Sequence, residues 1–179
     1  MPTYYLDFAN QIISYLGLDD EENENVNDLI KRLGFNVKKY GVKVVIPQIS
    51  FGEALSELYS KFREITDRQF TFGGLESKIS ELLLVVDKIQ ADLKPATRDA
   101  ISVYNTLLED KLLIDKIGPV DLLILSQAIS DSDADHLFTM DRGLIECRGN
   151  KNVKELIETY KGGIGFYIQE GLSKDKKLL

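Results

Sequence analysis

The stretch Val42-Lys-Val-Val-Ile-Pro-Gln-Ile-Ser-Phe-Gly-Glu53 decides the fold class. From Val42 to Ile46 it is an apolar, β-branched run, which reads as a strand buried on both faces. Ser50-Phe-Gly-Glu53 then reads as a capping box that opens a helix. That helix continues to about Ile65, with Leu55, Leu58, Tyr59 and Phe62 inward. A doubly buried strand that feeds a helix is the unit of a parallel α/β sheet.

Working outward, Thr3 to Leu6 predicts a first strand, followed by a helix with Ile12, Ile13 and Leu16 at helical spacing. Asp19 to Asn25 reads as an exposed acidic loop, and Val26 to Leu33 as a short helix closed by Gly34. Beyond Phe70-Thr-Phe-Gly-Gly74, the stripe Leu75, Ile79, Leu82, Val86, Ile89, Leu93 predicts one amphipathic helix from 75 to 93. A second follows from Ala96 to Leu113. These two read as core or dimer surfaces, so a homodimer is expected. Pro119 marks the first turn of a helix to Ser130. Asp135 to Met140 reads as a strand, Arg142 to Cys147 as a short helix, Gly165 to Gln169 as a last strand, and Ser173 to Leu179 as a frayed tail. The predicted order is β-α-α-β-α-α-α-α-β-α-β: an α/β sandwich with a mainly parallel central sheet flanked by helices, one domain over residues 1–179.

Four acids each stand where an apolar strand is expected to end and a helix to begin. Asp7 follows Thr3-Tyr-Tyr-Leu, Glu53 follows Val44-Val-Ile-Pro, Asp121 follows Ile117-Gly-Pro-Val, and Asp141 follows Leu137-Phe-Thr-Met. Singly, each has an ordinary explanation, because acids favour the first turn of a helix and satisfy its free N–H groups. Together they would sit at the carboxyl ends of the strands, where open α/β sheets bind ligands. Carboxylates gathered there repel one another, and a divalent cation relieves that repulsion. The hard oxygen donors suit Mg²⁺ or Mn²⁺. His136 is the one histidine and Cys147 the one cysteine, so a multi-cysteine zinc site and an internal disulfide are excluded; His136 reads as structural.

The net charge of −7 argues against tight electrostatic binding of RNA, but Asp19 to Asn25 alone holds five acids and no base. No apolar run approaches the ~20 residues of a membrane span. Met1-Pro2-Thr3 lacks a signal-peptide pattern, so a cytoplasmic protein is expected. Ala9 stands where a haloacid-dehalogenase-type phosphatase needs its second aspartate. No phosphate-binding Gly-x-x-x-x-Gly-Lys loop exists, and Gly162-Gly-Ile-Gly165 lacks dinucleotide-binding spacing.

Tyr5-Leu-Asp7, Ile46-Pro-Gln-Ile-Ser-Phe-Gly-Glu53, Val120-Asp-Leu-Leu-Ile-Leu-Ser-Gln-Ala128 and Phe138-Thr-Met-Asp141 together resemble the PIN domain, a family of metal-dependent nucleases. The resemblance covers roughly residues 3 to 147, with 63 to 116 matching only as helices. It implies a Mg²⁺- or Mn²⁺-dependent ribonuclease. Asp7 and Asp121 would be the principal metal ligands, with Glu53 and Asp141 as further ligands or orienting water. Thr139 would support a carboxylate, and Arg142 would contact phosphate. The family often carries Ser, Thr or Asn one or two places after the first aspartate. Phe8 and Ala9 occupy those places here, and Asn10, the supporting candidate, comes one position late. A toxin of the VapC type would pair with an antitoxin protein. The alternative is a PIN-like scaffold without catalysis, serving RNA processing or protein binding.

Overall fold

The structure is a computed structural model. It describes residues 1–16, 24–65, 72–162 and 165–170. The acidic stretch 19–23 and the tail 173–179 lie outside these. Five strands, β1 (Thr3–Leu6), β2 (Lys43–Pro47), β3 (Ala91–Lys94), β4 (Ala134–Thr139) and β5 (Tyr167–Glu170), form one parallel sheet in the order β3-β2-β1-β4-β5. Between them run α1 (Ala9–Tyr15), α2 (Glu24–Tyr40), α3 (Gln48–Ile65), α4 (Phe72–Lys88), α5 (Arg98–Leu108), α6 (Lys111–Ile114), α7 (Pro119–Ser130), α8 (Arg142–Cys147) and α9 (Lys151–Lys161). This is the α/β sandwich expected from Val42 to Ile46.

Side chains alternate across a strand, and the two sheet faces carry separate cores. Tyr4, Leu6, Val44, Ile46 and Phe138 pack with α1, α2, α3 and α4. Tyr5, Val45, Leu137 and Ile168 pack with α5, α7, α8 and α9. The chain winds outward from β1 to β2 and β3, then returns to β4 on β1's other side. The strand order therefore reverses between β1 and β4, and in open α/β sheets ligands bind beyond the carboxyl ends of the strands at such a reversal.

His136 is part of this packing. Its ring stacks on Phe138 and Tyr167 at 5.8 and 5.4 Å, and Tyr4 meets its edge at 5.0 Å. The structural reading of His136 agrees with these contacts.

Several expected boundaries are corrected. The helix expected from 75 to 93 ends at Lys88. Gln90 takes a left-handed φ of 47°, and Ala91 to Lys94 then pair with β2 as an edge strand. Leu93, assigned to the helical stripe, is therefore 38% exposed on that edge. The helix expected to close at Gly34 begins at Glu24, so the predicted loop stops short of it, and continues to Tyr40. Gly34 lies inside this helix because a Cβ there would come within 3.2 Å of the Lys88 carbonyl oxygen. The helix stops at Gly41, whose φ is +68°. The 96–113 helix divides into α5 and α6, because Asp110 caps a new turn, accepting from the N–H groups of Leu112 and Leu113. Residues 117–120 form no strand; they lead into α7 with Pro119 at its start. Helix α9 was not anticipated. Asn150 caps it by accepting from the Val153 N–H, and Gly162 closes it in the left-handed conformation. Among the described residues no helix is long and apolar enough to cross a membrane.

Candidate functional site

The β1–β4 ladder extends one residue past β1, where the Asp7 N–H donates to the Phe138 carbonyl at 2.9 Å. Alternation puts Asp7 on the sheet face of Tyr5, and Thr139 on the face of Leu137; both belong to the side covered by α7. The Thr139 hydroxyl donates to Asp7 Oδ2 at 2.7 Å and accepts from the Asp141 N–H at 2.9 Å. One hydroxyl thus ties the end of β1 to the turn after β4. Both Asp7 and Thr139 are fully buried.

The remaining acids come from three helix starts. Asp121 lies in the first turn of α7, and Glu53 in the second turn of α3. Asp141 is the N-cap of α8, with Oδ1 accepting from the Leu144 N–H at 2.8 Å. The capping explanation therefore holds for Asp141. For Ser50 and Glu53 it fails, because Ser50 lies inside α3. Its hydroxyl accepts from the Phe8 N–H at 2.8 Å and fastens the start of α1 to α3. Ser50 is a positioning residue that the capping-box pattern concealed.

Asp7, Glu53 and Asp121 each respond to neighbouring carboxylate charge. Burial pushes Asp7 from its ordinary 3.8 up to about 7; the Thr139 hydrogen bond opposes this, and the charges of Asp121, Glu53 and Asp141 add to it. Glu53 is raised by burial, then by Asp121 and Glu57. Asp121 is raised by burial and then by Asp141, against its own backbone hydrogen bond. No Lys or Arg forms an ion pair with any of them among the described residues. Arg142, next to Asp141, is exposed and likewise outside those pairs. The Asn10 side chain is not among those described.

Divalent-cation chemistry fits the donor type and the uncompensated charge. The spacing is looser: among the described residues no three His, Cys, Asp or Glu groups stand close enough to hold one ion as placed. The arrangement brings Glu53, Asp121 and Asp141 within electrostatic reach of Asp7 at the strand-order reversal, with Thr139 bonded to Asp7.

Replacing Thr139 by Val should raise the Asp7 pKa above its wild-type value. A hydrogen bond to an ionised partner contributes roughly 1.5–3 kcal/mol, so the loss should appear above pH 7 and shrink towards pH 5, where Asp7 is protonated in both proteins. Urea unfolding at the two pH values measures it.

No family model matches the chain. A component of eukaryotic translation initiation factor 3 from Eremothecium gossypii is 31% identical over 101 residues, 55% of this chain. The chain spans 12% of that protein's length. Among solved structures, VapBC2 from Rickettsia felis, crystallised with a DNA fragment from its promoter, superposes with a TM-score of 0.54 at 19% identity. The match covers 84% of this chain and 94% of that one. At that identity the likeness is one of fold, and it agrees with the α/β sandwich implied by the PIN resemblance.

Proposed function

We propose that this chain is a PIN-type ribonuclease that hydrolyses RNA phosphodiester bonds with Mg²⁺ or Mn²⁺. The observation that carries the reading is the buried Asp7 carboxylate, hydrogen-bonded by Thr139 and surrounded by the charges of Asp121, Glu53 and Asp141 at the strand-order reversal. Asp7 and Asp121 would be the principal ligands of the ion, with Glu53 and Asp141 as further ligands or holding the attacking water. A bound ion would supply water activation and neutralise charge on the phosphate. The Thr139 hydroxyl holds Asp7 in one orientation while keeping the Asp141 backbone beside it. Arg142 would orient the phosphate from the exposed start of α8. No histidine is required in these roles.

The VapBC2 likeness supports a partner of the antitoxin kind for this chain, and the homodimer remains part of the proposal. The second reading is a non-catalytic scaffold.

Thermal unfolding with and without millimolar Mn²⁺ separates the two. A ligand bound only to the folded state stabilises it by about 2.7 kcal/mol when present at ~100 times its Kd. Wild type should gain this stabilisation and Asp7→Asn should not, and wild type should cleave RNA only with the ion present. An unchanged wild-type melting temperature would remove the nuclease reading and leave the scaffold.

A further inference from the structure

We infer that the carboxyl-terminal half of α2 and the start of β2 form a docking surface for single-stranded nucleic acid, separate from the carboxylate site. The chain is acidic overall, yet residues Lys31 to Lys43 contain Lys31, Arg32, Lys38, Lys39 and Lys43 and no acid. Lys31, Lys38, Lys39 and Lys43 are exposed and outside every ion pair among the described residues. Arg32 pairs with Asp28 at 2.7 Å.

Two large aromatic rings stand among these charges. Phe35 and Tyr40 are each 54% exposed, and neither belongs to either core. They meet edge to face at 6.1 Å, and the Lys39 ammonium lies 5.0 Å from the centroid of each. Lys31, Phe35 and Lys38 recur at helical spacing, so the aromatic and basic groups share one face of α2. Exposed rings beside unpaired ammonium groups can stack on splayed bases and meet the phosphates between them. An acidic protein segment would satisfy the charges but leave the rings without that partner. The surface leads into the amino end of β2, whereas the carboxylates lie beyond the strands' carboxyl ends, so binding here requires no metal ion.

Fluorescence anisotropy with a labelled oligouridylate, in EDTA, tests this. Saturable binding is expected, with affinity falling as salt rises at a log–log slope of roughly −3 for four phosphate contacts. Phe35→Ala and Tyr40→Ala should each weaken binding at least about fivefold; both side chains are half exposed, so the variants should fold. K38E/K39E should weaken binding and flatten the salt slope. Asp7→Asn should bind as wild type does, which keeps this surface testable even if the carboxylate site binds no metal. Absence of binding, indifference to the ring substitutions, or equally effective competition by polyglutamate or by duplex RNA would overturn the inference.

Discussion

Asp7→Asn should make the protein more stable above pH 7 while removing the ribonuclease activity proposed for it. In the absence of divalent ions the Asp7 carboxyl is held from 3.8 up to about 7, chiefly by burial. Between those values the folded state binds more protons than the unfolded chain, so stability falls as pH rises through the window. Each tenfold in the ionisation constant is about 1.4 kcal/mol, so the ionised carboxylate costs the folded state about 4 kcal/mol once pH exceeds the folded pKa. Asparagine removes that charge and keeps an oxygen to accept from Thr139. Urea unfolding in EDTA from pH 4 to 8 should therefore show a steeply descending profile for wild type and a shallower one for Asp7→Asn, which keeps the raised carboxyls of Glu53 and Asp121. The curves should meet near pH 4 and separate by several kcal/mol at pH 8. Ribonuclease activity with Mn²⁺ should fall by more than roughly 100-fold, since losses of that order follow even from removing an outer-shell group. Parallel pH profiles would show that Asp7 ionises without penalty and would remove the argument for a site that needs a cation.

Gly143→Ala should be the most damaging single methyl group near the site. A Cβ at this position would overlap the carbonyl oxygen of Lys116 and lie 3.0 Å from Asp141 Oδ1. The first obstacle is backbone and cannot rotate aside. Relief requires the start of α8 to move away from the segment leading into α7. Overpacking of this kind costs about 1–3 kcal/mol or more, and the same displacement shifts Asp141 from its cap on Leu144 and from the Thr139 hydroxyl. Loss of about 3 kcal/mol is expected, together with loss of the Mn²⁺ stabilisation that the proposed function predicts. Gly149→Ala is the control. Its Cβ would have the Glu146 carbonyl as nearest neighbour at an ordinary 3.5 Å, so chemical denaturation should place it within about 0.5 kcal/mol of wild type. Equal stabilities for both variants would show that the α7–α8 approach is loose.

The parts of this fold that were legible in the sequence are those whose cause is local. Val44 to Ile46, Tyr4 to Leu6 and Leu137-Phe138 lie in the buried interior of the sheet, so their composition alone marks them as strands. Ala91-Asp-Leu-Lys94 has no such composition; it is a strand because β2 offers it a ladder, and none of its residues is fully buried. Gly34 read as a stop because its partner, the Lys88 carbonyl, is remote in the chain. Ser50 read as a cap for the same reason, its partner being the Phe8 N–H. Helix α9 carried a visible signal in Asn150 and Gly162 that polarity obscured. At the site, the four acids were identifiable as residue types at segment ends. That Thr139 would bond Asp7 depended on β1 and β4 being neighbours, which pattern alone does not dictate.

The hydrogen bond between Thr139 and Asp7 joins positions 132 residues apart. During synthesis, β1 leaves the ribosome before β4 and must wait for it before its carboxylate has a neighbour on that side. Every shorter translation product that stops before Thr139 carries Asp7 without the hydroxyl that orients it, and without Asp141. Should the proposed cleavage of RNA be harmful to the cell making it, fragments that end before β4 would be inert, so the layout of the sheet itself would withhold that activity until β4 has been made.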